Sequence, residues 1–169
     1  MKRIIGILVI TVMLLSMLTG CGLDVPKPAI KSGEFDFSVT YEINGETKTV
    51  SGVYACEYTG LGFYLDGGFS REWEGHVTDA SLEEPITIAR PEDNATLELR
   101  LDFYPDYFMG DASSAKNHEP IPYLAVRYES EDGISFEDGA DFIYEEYKAR
   151  IISYDYEEPI ENSFDIFNF

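Results

Sequence analysis

Between residues 34 and 43 apolar and polar side chains alternate without a break, Phe35, Phe37, Val39, Tyr41 and Ile43 against Asp36, Ser38, Thr40 and Glu42. A period of two is that of a strand with one face in a core and the other in solvent. Asn44-Gly45 follows, a pair that favours the positive backbone angles of a two-residue hairpin turn. With that turn, Ile43 pairs with Glu46, Val39 with Val50, Phe37 with Gly52 and Phe35 with Tyr54, and the register assigns faces as well as partners. Val50, Gly52, Tyr54, Cys56 and Tyr58 then share the apolar side of the first strand, which places Cys56 in the core. Gly52 opposite Phe37 either leaves space for the ring or marks a bulge.

The pattern continues down the chain. Residues 61–65 and 69–77 flank Asp66-Gly67-Gly68 as a second hairpin. A short strand at 85–89 and the alternating Ala95, Leu97, Leu99, Leu101 and Phe103 flank the turn-rich 91–94 as a third. Further strands are predicted over 122–128 and 150–156, the latter with Ile152, Tyr154 and Tyr156 on one face. One segment departs from the period of two. Between residues 138 and 148, Phe142, Ile143, Tyr144 and Tyr147 fall near helical spacing, with acids at the front and Lys148 and Arg150 at the back, a charge order that suits a helix dipole. A strand continuing into Arg150 is the competing reading. The expected fold is mostly β, an antiparallel β-sandwich or open barrel of about seven or eight strands with one short helix near 138–148.

Ahead of these strands, Lys2 and Arg3 precede a largely apolar run from Ile4 to Met17. That run is too short for a finished span of a ~30 Å hydrocarbon core and has the make-up of a signal-peptide h-region. Leu18-Thr19-Gly20-Cys21 resembles the lipobox of bacterial lipoproteins. The resemblance covers only the export segment. It implies cleavage before Cys21, diacylglycerol on the Cys21 sulfur and a further acyl chain on its amine, and two or more chains hold a protein stably on a bilayer. The division that follows is a lipoprotein signal peptide over 1–20, a lipidated cysteine with a flexible tether over 21–33, and a single β-rich globular domain over 34–169. The tether carries two prolines and no periodicity, and the twelve residues from Gly22 to Gly33 would reach about 40 Å fully extended. The implied location is extracytoplasmic, lipid-anchored to the bacterial cell membrane. The mature part resembles small surface lipoproteins of Gram-positive anaerobes, a likeness that brings no functional family with it.

Charge narrows the partners. The chain has 12 Lys+Arg against 32 Asp+Glu for a formal charge of −20, and loss of Lys2 and Arg3 with the leader takes this to −22. Such a field repels nucleic acid and favours solvation, cations and basic partners. One Trp, 12 Tyr and 11 Phe separate it from a disordered acidic chain. With Cys21 lipidated, Cys56 has no partner for an intramolecular disulfide and reads as a small buried hydrophobe.

The inventory for catalysis is thin. His76, His118 and one core thiol do not make a zinc cluster, and the chain has no H-E-x-x-H, G-x-S-x-G or phosphate-cradling glycine loop. Carboxylate pairs of the glycosidase kind need only two acids across a cleft, and this chain has many acids. Two candidate sites stand out. Glu129, Glu131 and Asp132 before Gly133, and Glu137, Asp138 and Asp141 around Gly139, put hard oxygen ligands in turn-forming sequence as Ca²⁺ requires, although the EF-hand spacing is not met. Tyr107, Phe108 and Met109 open the long connection from 105 to 120, with Tyr104 and Trp73 as candidate neighbours, and either form a recognition patch or close the core beneath the loop. The expected function is that of a membrane-anchored binding or interaction module for a protein, peptide or carbohydrate, with no resident cofactor. A Ca²⁺-dependent surface protein and a small carboxylate-based hydrolase are the alternatives.

Overall fold

The computed structural model describes residues 25–64, 68–79, 82, 85–111 and 119–165. A two-residue strand, β1 (Lys27–Pro28), leads into the hairpin of β2 (Ser32–Ile43) and β3 (Glu46–Tyr64). Asn44 and Gly45 turn the corner with φ of 53° and 80°, the left-handed geometry that a two-residue hairpin needs. The register is the expected one from end to end, with Ile43 opposite Glu46, Val39 opposite Val50 and Phe35 opposite Tyr54. Phe37 faces Gly52 with no shift in pairing. A Cβ at residue 52 would stand 3.2 Å from Phe37 Cε1 and 3.1 Å from Leu82 Cδ1, so the glycine makes room for the ring.

β3 is a single strand where the sequence suggested two. A bulge between Tyr58 and Gly60 carries it into its hairpin with β4 (Gly68–Val77). Its pairing with β2 stops at Glu57, so the two strands continue as a two-stranded arm in which Phe63 lies opposite Phe69. The chain then crosses to a second sheet made of β5 (Ile86–Glu92), β6 (Ala95–Asp102), β7 (Ile121–Ser130) and β8 (Gly133–Glu137), with helix α1 (Pro105–Phe108) between β6 and β7. Helix α2 (Ala140–Tyr147) follows, β9 (Ala149–Tyr156) returns to pair with β2, and β10 (Phe164–Asp165) pairs with β1. The sheet orders are β4-β3-β2-β9 and β5-β6-β7-β8, and every neighbouring pair is antiparallel. This is the expected mostly-β sandwich with a helix near 138–148.

Three expectations need correction. β8 was not anticipated as a strand, because its apolar residues Ile134 and Phe136 point outward from an exposed edge and leave no buried face to recognise. In β9, the register shifts between Thr40 and Tyr41, which sets Ile151 opposite Tyr41 and leaves Ile152 in a bulge. Ile151 therefore takes the place expected of Ile152 beside Tyr154 and Tyr156. Within the segment 21–33, expected to be a flexible tether, residues 26–31 are held against the domain. Pro26 O accepts from Arg71 Nη1 at 3.3 Å, Pro28 is buried, and Ile30 exchanges hydrogen bonds with the Asn162 side chain. The signal peptide, Cys21 and residues up to 24 lie outside the described residues.

The core joins Phe35, Phe37, Val39, Tyr54 and Cys56 of the first sheet to Leu97, Leu99, Leu124 and Val126 of the second. Phe108 and Ile143 close it from the two helices. The outer face of the second sheet is held by charge. Glu98 is 1% exposed because Arg100 and Arg127 fold over it, donating at 2.9 Å and 2.7 Å. Charge-assisted bonds of this kind are short and strong, and here they tie β6 to β7 on the solvent side.

Burial pushes the Cys56 thiol up to about 12, with the Asp106 carboxylate adding to the effect. Little thiolate then exists near neutral pH, and the sulfur is shielded. Cys56 is expected to resist thiol reagents in native buffer and to label fully after denaturation, as peptide mapping would show. Rapid native labelling at Cys56 would contradict the packing.

Candidate functional site

Trp73, Arg71 and Phe69 occupy alternate positions of β4 and so share one face. Pro105 at the first turn of α1 pre-sets the helical φ, and Asp106 in that turn complements the helix dipole. Gly110 ends the helix with φ of 64°, and a Cβ there would lie 2.3 Å from Ile160 O. The C-terminal segment crosses at this point, Ile160 N donating to Phe108 O and Asn162 Nδ2 to Met109 O.

The next residue is Asp111, 2% exposed. Its carboxylate takes two parallel bonds from Arg71, Nε to Oδ2 and Nη2 to Oδ1, both at 2.6 Å. Trp73 Nε1 donates to the same Oδ2 at 3.1 Å. The Arg71 guanidinium also lies 4.1 Å from the centre of the Phe164 ring. One buried carboxylate thus fixes β4 and the end of α1 and, through Arg71, the segments at Pro26 and Phe164. The Arg71 pKa is raised, the Asp111 hydrogen bonds outweighing the burial that opposes them.

Beside this clasp is a cleft of about 450 Å³ lined by Thr59, Arg71, Glu72, Trp73, Glu74, Pro105 and Asp106. The Trp73 indole forms part of its wall, held at the nitrogen by Asp111 and packed edge-on to Tyr58 with ring centres 5.4 Å apart. The indole face beside the Asp106 carboxylate suits a ligand with both hydrocarbon and positive charge, whereas Glu72 and Glu74, at the alternate positions of β4, belong to its other face, where the Glu72 side chain lies over Gly62. Arg71 is neutralised by Asp111 and does not offset that charge.

The residues singled out in the sequence part ways here. Trp73 lines the cleft. Tyr104 caps α1 half-buried and donates to Asp102 Oδ2 at 2.9 Å. Tyr107 is half-buried, edge-on to Phe108 and Tyr156. Phe108 and Met109 are each 0% exposed, so they close the core and present no surface to a ligand. Their place on α1, with the C-terminal segment laid across it, is the physical reason.

The acidic turns sit apart. Glu131 and Asp132 form the two-residue turn of β7 and β8, and Glu129 is paired with Arg127. Glu137 and Asp138 lie at the other end of β8, with Asp141 in α2, and an extended strand puts Asp132 about 17 Å from Glu137. Among the described residues no three His, Cys, Asp or Glu side chains converge as a metal site would need. His76 is exposed on β4 opposite Ala55, and His118 lies outside the described residues. No family model, curated protein or solved structure matches the chain.

Asp111, Asp106 and Arg71 were missed from sequence. A signal for Arg71 existed, since it falls between Phe69 and Trp73 on the apolar-facing positions of its strand. Asp111 had none, being 40 residues from its partner in a polar stretch.

Proposed function

We propose that the protein is a lipid-anchored, extracytoplasmic binding module that takes a positively charged peptide in the cleft between β4 and α1. The observation that carries this is the Trp73 indole, locked by Asp111 on the wall of a cleft that it shares with Asp106 of α1. A rigid aromatic anchor beside carboxylates binds with little ordering cost and draws a basic partner by long-range charge. The anchor rests on the basic n-region, the apolar run and the lipobox resemblance at Cys21.

Trp73 is the chain's one tryptophan, so its emission reports on the cleft alone. Titration with a short oligolysine peptide is expected to change that emission saturably, more weakly as salt rises, while a neutral oligosaccharide leaves it unchanged. Asp106→Asn should weaken the response by roughly two- to fivefold, as loss of one partly exposed ion pair predicts. A flat titration, or an Asp106→Asn variant that binds like the wild type, would contradict the assignment.

A further inference from the structure

The β3–β4 arm continues past the end of β2, and the last ring pair described on it is exposed. Phe63 and Phe69 face each other across the arm, ring centres 5.1 Å apart, and are 61% and 43% exposed. Phe63 is the most exposed large apolar side chain among the described residues. Two rings on a projecting hairpin add nothing to the core, and water gains nothing from them.

The start of the domain is beside the same arm. Arg71, two residues from Phe69 on β4, holds Pro26 O, and Tyr58 at the base of the arm donates its backbone N–H to Lys31 O. Phe69 lies about 7 Å beyond Arg71 along the strand. Four residues lie between Cys21 and Pro26, so five steps along the chain span at most about 18 Å. An acylated Cys21 is therefore confined to the neighbourhood of the arm. Lys27, Lys31 and the exposed Ile30 occupy this end too, alongside the exposed Glu72 and Glu74 of β4. Cations beside exposed aromatic rings match a headgroup layer over hydrocarbon.

We infer that the arm docks on the bilayer that holds Cys21, with the Phe63–Phe69 pair seated among the headgroups and upper acyl chains. This rests on the lipoprotein reading proposed above. Acyl chains at Cys21 and rings at the arm make two points of contact, which set the orientation of the domain and turn the opposite end, at the Asn44-Gly45 turn, away from the membrane.

The test uses the full-length, membrane-extracted protein in vesicles of phosphatidylcholine and phosphatidylglycerol that contain acyl-chain-brominated lipid. A fluorescent thiol probe is placed at Ser70→Cys, which keeps both phenylalanines, or at Lys48→Cys, about 40 Å away along β3. Both positions are exposed, and the buried Cys56 does not compete for the probe. The protein is expected to float with the vesicles, and the bromolipid to quench the Ser70→Cys probe several-fold more than the Lys48→Cys probe. Adding Phe63→Ser and Phe69→Ser should abolish that excess and leave flotation intact. Flotation with equal quenching at the two positions, or an excess that survives loss of both rings, would overturn the docked arm while the anchor stands. Failure to float would overturn the anchor and, with it, this inference.

Discussion

Phe108→Ala is expected to lower the thermal midpoint by roughly ten degrees or more. Phe108 is 0% exposed and touches five other rings, with centres 4.8 Å from Phe35, 5.5 Å from Tyr107, 5.6 Å from Tyr54 and Phe103, and 5.8 Å from Tyr156. It is the point where α1 meets the core of the first sheet, and the C-terminal segment is hydrogen-bonded to its carbonyl. Truncation there opens a cavity that neighbours held by strands cannot collapse into. Such a change costs about 3–5 kcal/mol, which in a domain of this size is the stated shift. Melting followed by circular dichroism decides it. A midpoint within a degree or two of the wild type would mean that Phe108 lies at a surface and belongs to a recognition patch after all.

Asp111→Ala should be nearly as damaging, for an electrostatic reason. The Arg71 and Asp111 side chains are 14% and 3% exposed, and the carboxylate is the acceptor for both the guanidinium and the Trp73 indole. Removing it leaves a largely buried guanidinium without its counter-charge and the indole N–H without its acceptor. Breaking a buried pair in this way costs about 3–5 kcal/mol. Replacing both members with apolar residues, as in Arg71→Met with Asp111→Leu, should cost less than Asp111→Ala alone, because no charge is stranded. Urea denaturation of the single and double variants measures the difference. A double variant as unstable as the sum of its singles would deny the coupling. Because Arg71 also holds Pro26 O and stacks on Phe164, the Asp111→Ala protein should also become more open to proteolysis at both ends.

What the sequence makes legible is local pattern. The first hairpin was readable to the residue because strict alternation and an Asn-Gly turn agree, and from that register the burial of Cys56 followed. Helix α2 was readable from Phe142, Ile143 and Tyr147, which the fold turns toward the core, and Lys148 ends it in a left-handed conformation. β8 was hidden because its two apolar residues face solvent, so alternation there signalled no core. Helix α1 is only four residues long, and its Pro105-Asp106 start was the one available cue. The docking of residues 26–31 depends on Arg71, Asn162 and β10, all far along the chain, and no local composition reports such partners. The site was half legible for the same reason. Trp73 stood out by type, whereas the carboxylate that fixes it became visible only once the chain had folded.

The anchor proposed at Cys21 underlies both the proposed function and the inferred orientation of the arm, and one measurement addresses it directly. The intact mass of the protein extracted from membranes is expected to be that of a chain beginning at Cys21 and carrying a diacylglyceryl group, with a further acyl chain on its amine. A mass matching an unmodified polypeptide, or one that still contains residues 1–20, would contradict it.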